Sequence, residues 1–229
     1  MSIKENIEEI KNQIKEACKN SGRKDIPRLI AVSKTKPEKD IIEALNAGQT
    51  DFGENYIQEA MDKIDSIKNN KICWHFIGAL QSNKAKFAVK YFDLIHSVDS
   101  LKLAVEINKR AASEEKIQNI LIQINTGREE QKAGIMPEEA EKFFKEIINL
   151  KNIKICGLMA IPPFGMEEDE ARKHFSLLKK SLDELNKKFP GLEMKELSMG
   201  MSDDFHIAIE HGATMVRVGT RIFGERNYR

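Results

Sequence analysis

The stretch Leu29-Ile30-Ala31-Val32-Ser33-Lys34-Thr35-Lys36-Pro37 decides how the rest of the chain is read. Its first four residues are apolar, as in a strand of a parallel sheet covered on both faces. Pro37 suits the first turn of a following helix. The same alternation recurs down the chain. Further strand-like runs lie at 51–55, 73–78, 93–98, 119–125, 153–161, 193–199 and 214–219. Helix signals fill the intervals. Residues 38–48 have apolar spacing and a closing glycine, Ser100 can cap the segment after it, and 137–150 opens with proline and acids. Ser202 or Asp203 can cap a segment that ends at Gly212. Eight strand-like runs, each followed by a helix or turn, predict one (β/α)8 barrel over 1–229 with an extra N-terminal helix. An open doubly wound sheet is the alternative, but it normally carries fewer strands. Residues 161–169 read as a long loop after the sixth strand.

Bulk properties narrow the function. The 229 residues carry 37 basic and 36 acidic side chains, a net charge of +1, which gives no general field for nucleic acid or an anionic membrane. No apolar stretch approaches the roughly 18 residues needed to span a bilayer. The first twenty residues form a charged amphipathic pattern rather than a signal peptide. Cys18, Cys73 and Cys156 are widely spaced and odd in number, which fits reduced thiols in a cytoplasmic protein.

In a barrel of this type the chemistry lies at the C-terminal ends of the strands. Inward candidates there are Lys36, Asn55, His75, Asn125, Met159, Ser198 and Arg217. Two-residue alternation puts Ile30, Val32, Lys34 and Lys36 on one face if the first strand persists that far. Lys36 then stands at the strand end, with Lys34 read as a solvated lysine of the rim. An amine among apolar walls loses hydration, which lowers its pKa from about 10.4 and favours an imine with a carbonyl compound. After strands seven and eight, Ser202, Gly219 and Thr220 offer backbone N–H groups and hydroxyls for a phosphate. Asp203 and Asp204 are expected to point outward there and complement a helix dipole. A phosphorylated aldehyde satisfies both features.

Six ordered segments carry a resemblance. AVSKTKP, FGENYIQEA, WHFIGALQSNK, GLMAIPP, LSMGMSDDF and MVRVGTRIFGER resemble the pyridoxal phosphate homeostasis proteins over essentially the whole chain. The resemblance implies a barrel like the N-terminal domain of alanine racemase. It also implies pyridoxal 5′-phosphate (PLP) as cofactor, held as an imine on Lys36. Ser202, Gly219 and Thr220 would take the phosphate, Arg217 would face the pyridine nitrogen and Asn55 would lie near the inner edge. The implied role is a carrier or buffer in PLP homeostasis, serving PLP-requiring apo-enzymes, with no catalytic residue of its own, and the expected state is a monomer.

The alternative is an amino-acid racemase or lyase. PLP is a strong electron sink when its ring nitrogen is protonated, and an arginine there keeps it unprotonated. Racemases of this type also need a further β-domain with a tyrosine, whereas Tyr228 is the only tyrosine after Thr220. The five histidines, His75, His96, His174, His206 and His211, show no metal-ligand spacing. His75 is read as a pocket residue or a buried, hydrogen-bonded core histidine. Lys84 and Lys86 are read as surface charge.

Overall fold

The computed structural model describes residues 2–129, 131–163 and 165–225; Tyr228 lies outside them. Eight parallel strands close into a barrel. They are β1 (Arg28–Val32), β2 (Asp51–Glu54), β3 (Cys73–Phe76), β4 (Leu94–Val98), β5 (Gln118–Gln123), β6 (Ile153–Met159), β7 (Glu196–Ser198) and β8 (Met215–Val218). Closure is direct: Ile30 of β1 pairs with Arg217 of β8, and Ala31 with Phe52 of β2. All eight strands fall on the runs named from the sequence, so the barrel is confirmed and the open sheet is excluded.

The helices are α1 (Ile3–Asn20), α2 (Glu38–Asn46), α3 (Ile57–Ile67), α4 (Ala85–Tyr91), α5 (Leu101–Ser113), α6 (Ala140–Ile147), α7 (Glu168–Lys188), α8 (Phe205–Glu210) and α9 (Thr220–Phe223). Among the described residues none is long and apolar enough to cross a membrane. The large apolar cluster lies between the strands and this ring. A smaller one, Ile30, Leu94, Leu121, Met159 and Met215, fills the barrel interior. The loop after β6 runs to Glu167, close to the span read from the sequence.

The extra helix starts on a capping box. Ser2 Oγ accepts from Glu5 N–H, and the Glu5 carboxylate accepts from Ser2 N–H. Its buried face, Ile7, Ile10, Ile14 and Cys18, packs over α8 and α9. Asn6 Nδ2 donates to Ile222 O at 2.9 Å, and Arg221 Nη2 to Gln13 Oε1 at 2.5 Å. The added helix therefore braces the last strand–helix unit. Cys18 is buried and Cys73 and Cys156 are half-buried, all as free thiols.

Candidate functional site

A cavity of about 440 Å³ opens at the C-terminal ends of the strands, within the size range of small-molecule sites. Val32, Lys34, Asn55, Ile77, Arg217, Gly219 and Thr220 line its barrel side. Ile161, Pro163 and Met166 of the loop after β6, with Met201 and Ser202 after β7, line its flank. A more open groove of about 570 Å³ between α1 and α8 shares Ser202, Asp203 and His206 with it. That groove lies off the strand ends and holds neither Lys34 nor Arg217, so the cavity is the candidate site.

The lysine needs correction. The cavity is lined by Lys34 and not by Lys36. Strand β1 ends at Val32, and Ser33 N–H still reaches across to Gly53 O at 3.0 Å. Thr35 then takes a left-handed conformation, φ 63°, and Lys36 N–H closes a turn on Ser33 O at 3.1 Å. Two-residue alternation fails beyond this turn. The Lys36 ammonium is instead directed to the carbonyls of Phe223 and Glu225, at 2.9 and 2.5 Å. Other strands point the same way: Asn55, Ile77 and Gly219 each follow the last strand residue directly. Lys34 lies two residues beyond its strand, and Lys36 four.

A charged clamp holds the residues on either side of Lys34. The Lys63 ammonium, on α3, donates to Ser33 O at 2.8 Å, Glu54 Oε1 at 2.8 Å and Glu59 Oε1 at 2.5 Å. Ser33 Oγ donates to Glu54 Oε1 at 2.7 Å, and Thr35 N–H to Glu59 Oε1 at 2.5 Å. All three protons of the ammonium are used. Burial raises the Glu54 carboxyl above its ordinary value, partly offset by the Lys63 charge and hydrogen bond. Sequence reasoning missed this clamp. The available signal was an acid and a lysine four apart on α3, Glu59 and Lys63, and a glutamate closing an otherwise apolar strand.

Arg217 is 4% exposed and lines the cavity from β8. Its guanidinium donates to Ser198 Oγ at 2.6 Å and to Ala160 O at 2.9 Å, and no ion pair joins it among the described residues. Burial brings its pKa down to about 10, which leaves it charged at neutral pH. Two strand-end positions behave differently from Arg217: Asn125 donates to Glu129 O and Lys132 O within its own loop, and Met159 belongs to the interior cluster. Asn55 Oδ1, by contrast, is buried beside the cavity without a hydrogen-bond partner among the described residues. Gly78 explains how Asn55 is placed, since a Cβ there would stand 2.3 Å from Asn55 O.

The turn after β7 is tight. Gly200 has φ +90°, and a Cβ would meet the Ala208 Cβ at 2.6 Å and the Phe205 Cα at 2.9 Å. Its carbonyl accepts from Arg217 N–H, which ties the turn to β8. Asp204, not Ser202 or Asp203, stands at the cap position of α8. Its carboxylate turns back to accept from Met201 N–H at 2.5 Å, and both Asp203 and Asp204 line the cavity. The expectation that both aspartates face outward is thereby corrected for Asp204, whereas Asp203 is exposed. Ser202 is left at the cavity wall. Gly219 and Thr220 open α9, where first-turn N–H groups have no acceptor inside the helix.

His75 is buried and hydrogen-bonded rather than a cavity residue. Lys84 and Lys86 sit near the Phe87 ring. Asp51, Cys73 and His75 gather three donor atoms within 4.8 Å at the opposite end of the barrel, which no sequence spacing announced. Burial, with the charge of Asp93 beside it, pushes the Cys73 thiol up to about 12, so it is protonated at neutral pH. His75 Nε2 is already engaged by Asp51.

Comparison with known proteins places this geometry in context. Residues 2–227 match the family described as alanine racemase, N-terminal domain. The chain is 42% identical over 229 residues, the full length of both, to a pyridoxal phosphate homeostasis protein of Aquifex aeolicus. It is 43% identical to one of Haemophilus influenzae, over 100% of this chain and 98% of the other. The structure of PipY of Synechococcus elongatus PCC7942 with PLP bound superposes with a TM-score of 0.87 at 37% identity, covering 97% of this chain and 100% of PipY.

Proposed function

The chain belongs to the pyridoxal phosphate homeostasis family, and from that membership we propose that it holds PLP on Lys34 and keeps the aldehyde available to other proteins. One observation carries the reading. A single cavity brings together a lysine, a buried guanidinium and the Ser202, Gly219 and Thr220 turn. The residues fit the cofactor's three polar ends. Lys34 would take the aldehyde carbon as an imine, with loss of water. Ser202, Gly219 and Thr220 would accept the phosphate through N–H and hydroxyl groups. Arg217 would donate to the ring nitrogen, and Asn55, whose Oδ1 has no hydrogen-bond partner among the described residues, lines the same space.

The cofactor supplies an electron sink whose strength depends on protonation of its ring nitrogen. A guanidinium only donates, so Arg217 would hold that nitrogen unprotonated when the cofactor is bound. This favours storage and transfer over turnover of amino acids. Relatives named for homeostasis rather than for a reaction agree with it. Recipients in this reading are PLP-requiring apo-enzymes, and the carrier is a monomer.

Borohydride reduction of the PLP-loaded protein followed by peptide mapping tests the site. The pyridoxyl group is expected on Lys34, lost in Lys34→Ala and retained in Lys36→Ala. Label on Lys36 would restore the lysine expected from the sequence, and absence of label would overturn PLP binding. Incubation with L-alanine in deuterated water tests the role. Lys34-dependent α-deuterium incorporation at more than about one turnover per second, approaching the usual ~10 per second, would make the protein an enzyme.

A further inference from the structure

A line of hydrogen bonds crosses the barrel interior from the cavity to the opposite face. Arg217 Nη1 donates to Ser198 Oγ at 2.6 Å. His96 Nδ1 lies 2.9 Å from that oxygen, and His96 Nε2 lies 2.9 Å from His75 Nδ1. His75 Nε2 lies 3.1 Å from Asp51 Oδ1. Ser198, His96 and His75 are wholly buried. Asp51 opens β2, at the strand ends remote from the cavity, and its side chain is 18% exposed.

The two ends determine how the protons are arranged. A guanidinium only donates and an ionised carboxylate only accepts. With those ends and two neutral rings, one arrangement satisfies every link. Ser198 Oγ accepts from Arg217 and donates to His96 Nδ1, His96 Nε2–H donates to His75 Nδ1, and His75 Nε2–H donates to Asp51. The reverse order needs an extra proton on Asp51 or on a ring. Two shifts agree with the first arrangement. Burial holds His96 well below the ordinary imidazole value, with the charges of Arg217 and Arg28 acting in the same direction. Burial pushes the Asp51 carboxyl up, but its hydrogen bond with His75, with Thr50 and Arg28 adding to it, outweighs burial and lowers it on balance.

A buried cation without a contacting anion is costly; among the described residues Arg217 has only a hydroxyl and a carbonyl as hydrogen-bond partners, and the carboxylate whose charge supports it from the cavity wall is Asp204. Hydrogen bonds in series polarise one another in a low-dielectric interior. We propose that Asp51 is a second, remote counter-charge of Arg217 beside Asp204 of the cavity wall, and that Ser198, His96 and His75 are positioning residues that transmit it. The guanidinium is thereby aimed and kept charged at the cavity. The consequence for PLP rests on the proposed function, in which Arg217 meets the ring nitrogen; the proton arrangement does not.

The test has two arms. Nitrogen-15 spectra of histidine-labelled, PLP-free protein at pH 7 report the tautomers directly. Both His75 and His96 are expected as Nε2–H tautomers, and an Nδ1–H or doubly protonated ring at either position overturns the proposal. In the second arm PLP is added to wild type, Asp51→Asn and Asp51→Glu. Asparagine can still accept from His75, so the tautomers are expected to survive while the charge is lost. The visible band of the bound cofactor is then expected to shift in Asp51→Asn and to return towards wild type in Asp51→Glu. An unshifted band in a folded Asp51→Asn protein with intact tautomers would refute the counter-charge. Failure of wild type to take up PLP would sink the proposed function instead, and the tautomers would then decide the proton arrangement alone.

Discussion

Replacing Lys63 by methionine keeps the length of the side chain and removes the cation from the clamp beside Lys34. The Lys63 side chain is 7% exposed and that of Glu54 0%. After the change Glu54 keeps, among the described residues, only the Ser33 hydroxyl, since its Oε2 has no partner among them even in the native protein. Glu59 keeps Thr35 N–H and is partly open to water. The dominant loss is therefore an uncompensated buried carboxylate at Glu54. Breaking a buried pair from one side costs about 3–5 kcal/mol, which for a chain of this size lowers the melting temperature by roughly 6–20 °C.

The pH dependence separates this cause from simple loss of packing. The folded-state pKa of Glu54 is already raised by burial, and removing Lys63 raises it further. A raised carboxyl binds its proton more tightly in the folded state, so its contribution to stability grows as pH falls from neutral towards 4.5. The gap between wild type and Lys63→Met should thus narrow between pH 7 and pH 5. Denaturant unfolding at both pH values measures it. Lys63→Met combined with Glu54→Leu should recover part of the loss, because an apolar pair has no charge to strand. A cost below about 1 kcal/mol at pH 7, the range of exposed pairs, would refute the reasoning. So would a gap that does not change with pH.

Other outcomes follow from the same geometry. Ser202→Ala and Thr220→Val should each weaken PLP retention by about 1–3 kcal/mol, while pyridoxal, which lacks the phosphate, should discriminate little between them and wild type; dialysis followed by absorbance checks this. His96 is held neutral in the fold but has an ordinary value when unfolded, so the unfolded state binds more protons as pH falls below 6.5. Its contribution is fully present above that pH and declines below it by up to about 1.4 kcal/mol per unit. His96→Gln should flatten the wild-type slope between pH 6.5 and 5 in unfolding experiments. Gly200→Ala should destabilise the turn after β7 and loosen PLP together, because the added Cβ has no room against Phe205 and Ala208 at φ +90°.

Much of this protein is written locally. Runs such as 29–32 and 120–122 are apolar because a parallel strand in a barrel is covered on both faces, and that burial needs no knowledge of the neighbours. The capping box at Ser2 and Glu5 is likewise a local device. Arg217, Asn55, Gly219 and Thr220 could be placed at the cavity because each sits at or just past a strand end, and Ser202 because it lies in the loop that follows β7. The choice between Lys34 and Lys36 was not local. It depends on where β1 stops pairing with β2 and on Glu59, 24 residues away, accepting the N–H of Thr35. The buried line from Asp51 to Arg217 shows the same limit, since it draws on β2, β3, β4, β7 and β8. Periodicity states which face of the barrel wall a side chain occupies. Which side chain meets it across the interior is set only when the barrel closes, because strands such as β4 and β7 are joined by no backbone hydrogen bond and meet through their side chains alone.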